Sequence, residues 1–296
     1  MSSRLLEREE YIEQRYFFRT FAERLADNTP SQEILNDLQE EILATTRLPT
    51  AMDFLAGEIK LHGRLSDGMA YLHHYFAPFQ GYVLSIAEAD RSKFDVRIAL
   101  KILEEQAKYL SESPTPPGLF IFQFECIARN RLGYDRGLRA IADDPMYDEQ
   151  WQSWILWVRQ ELGNMEFSEM LYRQSEHFVF ERRRKLGDPE WTPNTPILFG
   201  VQEGRIAKAN RGRDPLYMFA ALQRQLGYPT VPRQEPRTKE PPIHPVLAER
   251  LKRIEQRLRI VELESQDKFD LTEFYKNPPD FSKFDDLDAT SDNTVD

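Results

Sequence analysis

Histidine is the side chain that titrates nearest neutral pH and the commonest metal ligand, and it occurs five times in this chain of 296 residues. Glu58 and His62 stand at i, i+4, and His73 and His74 follow on the next predicted element. Two neighbouring helices can therefore aim imidazole and carboxylate at one point. His177, with Glu176 and Glu181 nearby, can add a further ligand. Other considerations point away from a metal. Adjacent helical residues project about 100° apart, so His73 and His74 do not share one site. His62 extends the stripe of Met52, Leu55 and Ile59 into a last helical turn, where an imidazole satisfies terminal carbonyls. His73 lies between Leu72 and Phe76, as a core histidine would. The candidate ligands are thus Glu58, His62, His73 and His177, with metal binding not favoured and no cofactor expected.

Other chemistry is sparser. The chain lacks a glycine-rich phosphate loop, the HExxH and GxSxG signatures, paired Glu-x-x-His motifs and any zinc-like Cys/His spacing. Its one cysteine, Cys126, falls in a strongly apolar segment, where burial raises a thiol pKa and keeps it inert. That lone cysteine excludes an internal disulfide framework, and a reducing, cytoplasmic setting is expected. Trp151 and Trp154 belong to an apolar helical stripe; Trp157 lies off it and needs another explanation, such as a partner surface.

Positive charge gathers at Arg182, Arg183, Arg184 and Lys185 and again at Arg205, Lys208, Arg211 and Arg213. From 173 to 213 nine basic residues face five acidic ones, so the two clusters can position phosphates if they meet. Basic residues in a last turn are also what the helix dipole favours.

The elements that must carry these residues are helical. Apolar residues recur at the helical period throughout, and strict alternation is scarce, which predicts an all-α fold built as a multi-helix bundle or irregular helical stack. Ser31, Pro49 and Ser66 are placed to open helices, and Gly63, Gly163 and Gly187 to close them. The first helix is expected from about residue 3, another through residue 76, and one long helix over 167–186. Segment 119–124, Leu-Phe-Ile-Phe-Gln-Phe, has strand propensity but continues without a turn signal, and is read as a buried helix.

Composition shifts near residue 228. Six prolines among the eighteen residues of 228–245 predict an extended linker after a helical core domain over 1–227. Beyond it Leu247, Leu251, Ile254, Leu258 and Val261 repeat at spacings of four and three, an apolar seam of a short coiled coil or docking helix over 246–266. Residues 267–296 are expected to form a disordered acidic tail, with Phe281 and Phe284 set among aspartates as a recognition element. The net charge of −10 belongs mostly to this end: residues 264–296 carry ten acids against three lysines. Such a tail can also fold back on the basic region by charge complementarity. The remainder is nearly neutral, giving no field that calls for nucleic acid or an anionic membrane. No run approaches the roughly 20 apolar residues of a membrane span.

Linker, seam and tail describe tethering better than chemistry, so the expectation is a non-catalytic helical interaction or scaffold protein, with self-association or a protein partner through the C-terminal helix. The alternative is a helical-bundle enzyme, or a small-molecule or metal binder, using the histidines and glutamates. Nucleic-acid binding through 182–213 stands third.

Overall fold

A computed structural model describes residues 5–90 and 92–234. Thirteen α-helices form among them: α1 (Arg8–Ala26), α2 (Ser31–Glu41), α3 (Leu48–His62), α4 (Leu65–Tyr71), α5 (Pro78–Ala87), α6 (Val96–Ser111) and α7 (Pro116–Asn130), then α8 (Tyr134–Ala142), α9 (Glu149–Glu161), α10 (Phe167–Arg173), α11 (Glu176–Leu186), α12 (Val201–Ala209) and α13 (Pro215–Leu226). No strand occurs among the described residues, only the isolated bridges Leu162 to Met165 and Ser175 to Phe199.

Local chemistry sets the ends. Asp95, Thr115, Asp148, Ser175 and Asp214 each accept a bond from a backbone N–H two or three residues on, satisfying a donor that a helix start leaves orphaned. At the other ends Gly63, Gly187 and Gly227 take left-handed φ values of 73°, 68° and 68°, which glycine adopts without steric cost.

Helix α7 is the axis of the body. Every residue from 118 to 127 is buried, as a helix apolar all round must be, and this fixes segment 119–124 as helix. It packs on α6, α8 and α13, while α1 lies along α6 and α10 packs against α11, α12 and α13. Buried polar groups are tied between elements. The Tyr75 hydroxyl and the Arg47 amide donate to Glu10, at 2.8 and 2.9 Å. Gln80 Nε2 donates to Gln14 at 3.1 Å.

Four boundaries differ from those read in the sequence, the first being α1, expected from about residue 3, which starts at Arg8. The helix expected through residue 76 stops at Tyr71, and a turn carries the chain to Pro78. The long helix over 167–186 is two helices broken at Gln174–Ser175, because Ser175 caps α11 and the Gln174 carbonyl accepts from Leu198 and Phe199 instead of continuing the helix. The body also runs past Leu226: Tyr228 and Val231, the first residues of the expected linker, are buried in the core, and the Tyr228 hydroxyl donates to Glu125 at 2.7 Å. Asn130 Nδ2 donates to the Pro232 carbonyl at 3.0 Å.

Candidate functional site

The break between α10 and α11 shapes a cleft. Because the chain turns at Gln174, α11 leaves α10, and the loop over 188–200 returns to pair with the gap. Leu198 and Phe199 donate to the Gln174 carbonyl at 2.9 and 3.1 Å, and Glu176 donates to the Phe199 carbonyl at 2.9 Å. The loop's other end is fixed by Arg183 Nε, which donates to the Trp191 carbonyl at 2.9 Å, and by Phe178 meeting Trp191 edge-on at 6.1 Å. The span Pro193–Asn194–Thr195–Pro196 is thereby held out as one rim.

The opposite rim is α9. Its Asp148 cap holds the first turn, so that Trp151 and Trp154 enter the core around Phe120 and Phe199, with ring separations of 4.9 to 5.8 Å. Trp154 and Trp157, three residues apart on one helix face, line the cleft together with Phe178, Pro193 and Pro196. The cleft is open to solvent and has a volume of about 820 Å³, within the range of about 300–1,000 Å³ typical of ligand sites. Polar residues stand at the mouth: Glu149, Gln150, Ser153, Asn194 and Thr195, all exposed. Two of the lining residues, Trp154 and Gln174, each keep a polar atom buried beneath the surface without a protein partner, the indole Nε1 and the amide Oε1.

The residues singled out in the sequence fall elsewhere. Glu58 and His62 approach to 3.7 Å, but His62 is 56% exposed and shares a shallow depression with Asp67 and Tyr71. His73 is not a core residue, because α4 ends before it and leaves it exposed in the turn; its ring meets His74 edge-on at 6.0 Å. His177 stands on α11, its Nε2 3.3 Å from Glu181 and its Nδ1 buried without a partner. Among the described residues no group of three or more His, Cys, Asp or Glu side chains is arranged to hold a metal ion. Cys126 is buried, and desolvation pushes its thiol well above the ordinary range.

Helix α11 packs on α12, and the charge of the basic residues is partly spent inside the protein. Lys208 and the Tyr172 hydroxyl bond Glu181, which holds that carboxyl down at about 2. Arg211 pairs with Glu169 and lies 4.1 Å over the Tyr172 ring; Arg182 lies 5.4 Å over Phe178. Arg184, Lys185, Arg205 and Arg213 are exposed. Leu247, Leu251, Ile254, Leu258, Val261, Phe281 and Phe284 lie outside the described residues, as do the expected C-terminal helix and acidic tail.

The sequence marked one wall of this cleft, through Trp157 standing off its stripe, and missed the rest. Gln174 and Phe178 were absorbed into a single long helix, although Ser175 followed by Glu176 is a helix-start signal. Compared with known proteins, the chain matches no protein-family model, no curated protein and no solved structure. No helix among the described residues is long and apolar enough to cross a membrane.

Proposed function

We propose that this is a non-catalytic helical interaction protein that captures a peptide segment of a protein partner in the cleft between α9, the α10–α11 break and the 188–200 loop. The carrying observation is a cleft of about 820 Å³ walled by Trp154, Trp157, Phe178, Pro193 and Pro196, with polar residues at its mouth. Apolar side chains of a peptide suit such walls, and the exposed polar residues at the mouth can pair the peptide groups between them. The lining residues include no histidine or cysteine and a single carboxylate, Glu149, so they offer a binding surface more readily than a nucleophile with its base. The apolar seam from Leu247 to Val261 supports self-association as a second contact, and the lone cysteine supports a cytoplasmic setting.

The test is selection of a random peptide library displayed on phage against the immobilised full chain and against Trp157→Glu. Trp157 is half-buried and its replacement leaves the core stripe intact. Wild-type protein should enrich a family of sequences that the variant does not retain. Equal enrichment on both, or none on either, removes the reading.

A further inference from the structure

The segment over 176–197 leaves the body and rejoins it at one place. Glu176 donates to the Phe199 carbonyl, and Leu198 and Phe199 both donate to the Gln174 carbonyl, so the two ends are stapled side by side. Ser175 at that base is extended, with φ −108° and ψ 151°. Within the segment Arg183 Nε and Phe178 hold Trp191, which ties the returning loop to α11. Helix and loop thus form one flap, and its grip on the body is slight. Val179 alone of the eleven residues of α11 is buried, whereas α7 buries ten of fifteen. Few buried apolar contacts are what a locally opening segment has. The apolar hold adds Phe178, half-buried with Tyr172 edge-on at 5.3 Å. The polar hold centres on one carboxylate: Glu181 accepts from the Tyr172 hydroxyl on α10 and from Lys208 on α12. The closed packing also works against itself. His177 faces α12 at Gly204, and its Nδ1 is buried there without a partner. A polar atom kept from water unpaired opposes the state that buries it.

We propose that this flap is a gate: α11 and the loop over 188–197 lift together from a base at 174–176 and 198–199, and Glu181 is the latch that holds them against α10 and α12. The inference rests on the binding cleft proposed above, because the flap supplies Phe178, Pro193 and Pro196, the wall opposite α9. A few residues at element ends absorb such a motion. With the latch made, the wall stands and fixes the width of the cleft. With it broken, the wall withdraws from α9, and a partner that prefers one width draws the equilibrium toward that state.

Hydrogen–deuterium exchange read by mass spectrometry on the full chain, with no peptide added, tests the gate apart from binding. A helix as short as α11 does not persist off the body, so its amides register the opening. Those of 178–186 should exchange faster than those of α7 and α9 in the wild-type protein. Glu181→Gln keeps an acceptor for Tyr172 but loses the charge that Lys208 bonds. It should speed exchange over 178–186 about three- to tenfold, the worth of a partly exposed charged bond, and leave α7 and α9 unchanged. Lys208→Met breaks the latch from the other side and should act alike; Lys208 is exposed, so this variant carries the test should Glu181→Gln fail to fold. Exchange over 178–186 as slow as in α7, or unmoved by Lys208→Met, overturns the gate. So does a rise of equal size throughout the body, which marks general unfolding. The phage selection judges the cleft separately: opening without any enriched peptide would sustain the flap's motion and remove the cleft as what it guards.

Discussion

Asp144 sits fully buried beyond the end of α8, accepting from the Met146 amide at 3.1 Å and from Gln123 Nε2 at 3.0 Å. Desolvation outweighs both bonds and pushes its carboxyl up from 3.8 to about 6. The folded protein therefore holds this proton more tightly than the unfolded chain does. Its contribution to stability is complete below about pH 3.8 and is lost as pH rises through about 6, a swing of up to about 3 kcal/mol at 1.36 kcal/mol per unit. Asp144→Asn removes that titration. Asn keeps an acceptor for Met146, and Gln123 can turn its amide to accept from the new NH₂ while donating to the Tyr147 hydroxyl, which now donates to it at 2.8 Å. Chemical denaturation across pH 4 to 7 should show the variant gaining on wild type as pH rises. Parallel curves would mean that Asp144 titrates normally.

At the scale of elements, the cleft depends on how closely α12 approaches the α10–α11 break. Gly204 permits that approach, since a Cβ there would stand 2.6 Å from Ser175 Cβ and 2.7 Å from His177 Cβ. Neither neighbour is the far end of a flexible side chain, so Gly204→Ala must displace backbone, at a cost of about 1–3 kcal/mol. Because Gln174 adjoins Ser175, the same variant should weaken peptide binding at the cleft. A thermal melt and a titration together check both, and wild-type values in each would show that α12 has no part in shaping the site. This arrangement also marks how far the sequence could be read. The apolar period and the caps reveal which segments are helical, down to the buried α7, because those signals are local. The break at Gln174–Ser175 depends on Leu198 and Phe199 arriving from beyond residue 190 to take the Gln174 carbonyl. That partner has no trace in the spacing around residue 174. The histidines misled for a similar reason: a turn after Tyr71 turns His73 from a predicted core residue into an exposed one.

The body closes on itself through its last described turn. Tyr228 is buried against Phe122, with ring centroids 6.3 Å apart, and its hydroxyl donates to a Glu125 carboxylate that Arg129 also bonds. Burial and the Glu125 charge push that phenol far above its usual range. Tyr228→Phe keeps the ring and leaves a buried carboxylate oxygen without that donor, a cost of about 1–3 kcal/mol. Equilibrium unfolding should show the loss with no change in secondary structure, and an unchanged midpoint would mean that Arg129 alone suffices for Glu125. The aromatic assembly near the other end of α7 has a consequence of an optical kind. The chain has four tryptophans; Trp154 and Trp157 line the cleft, Trp151 abuts Trp154 at 5.6 Å, and Trp191 abuts the lining Phe178. The protein's ultraviolet emission is thus a record of a single locality. A soluble quencher will read the accessibility of that one site, and the half-buried Trp157 and Trp191 will dim before the buried pair.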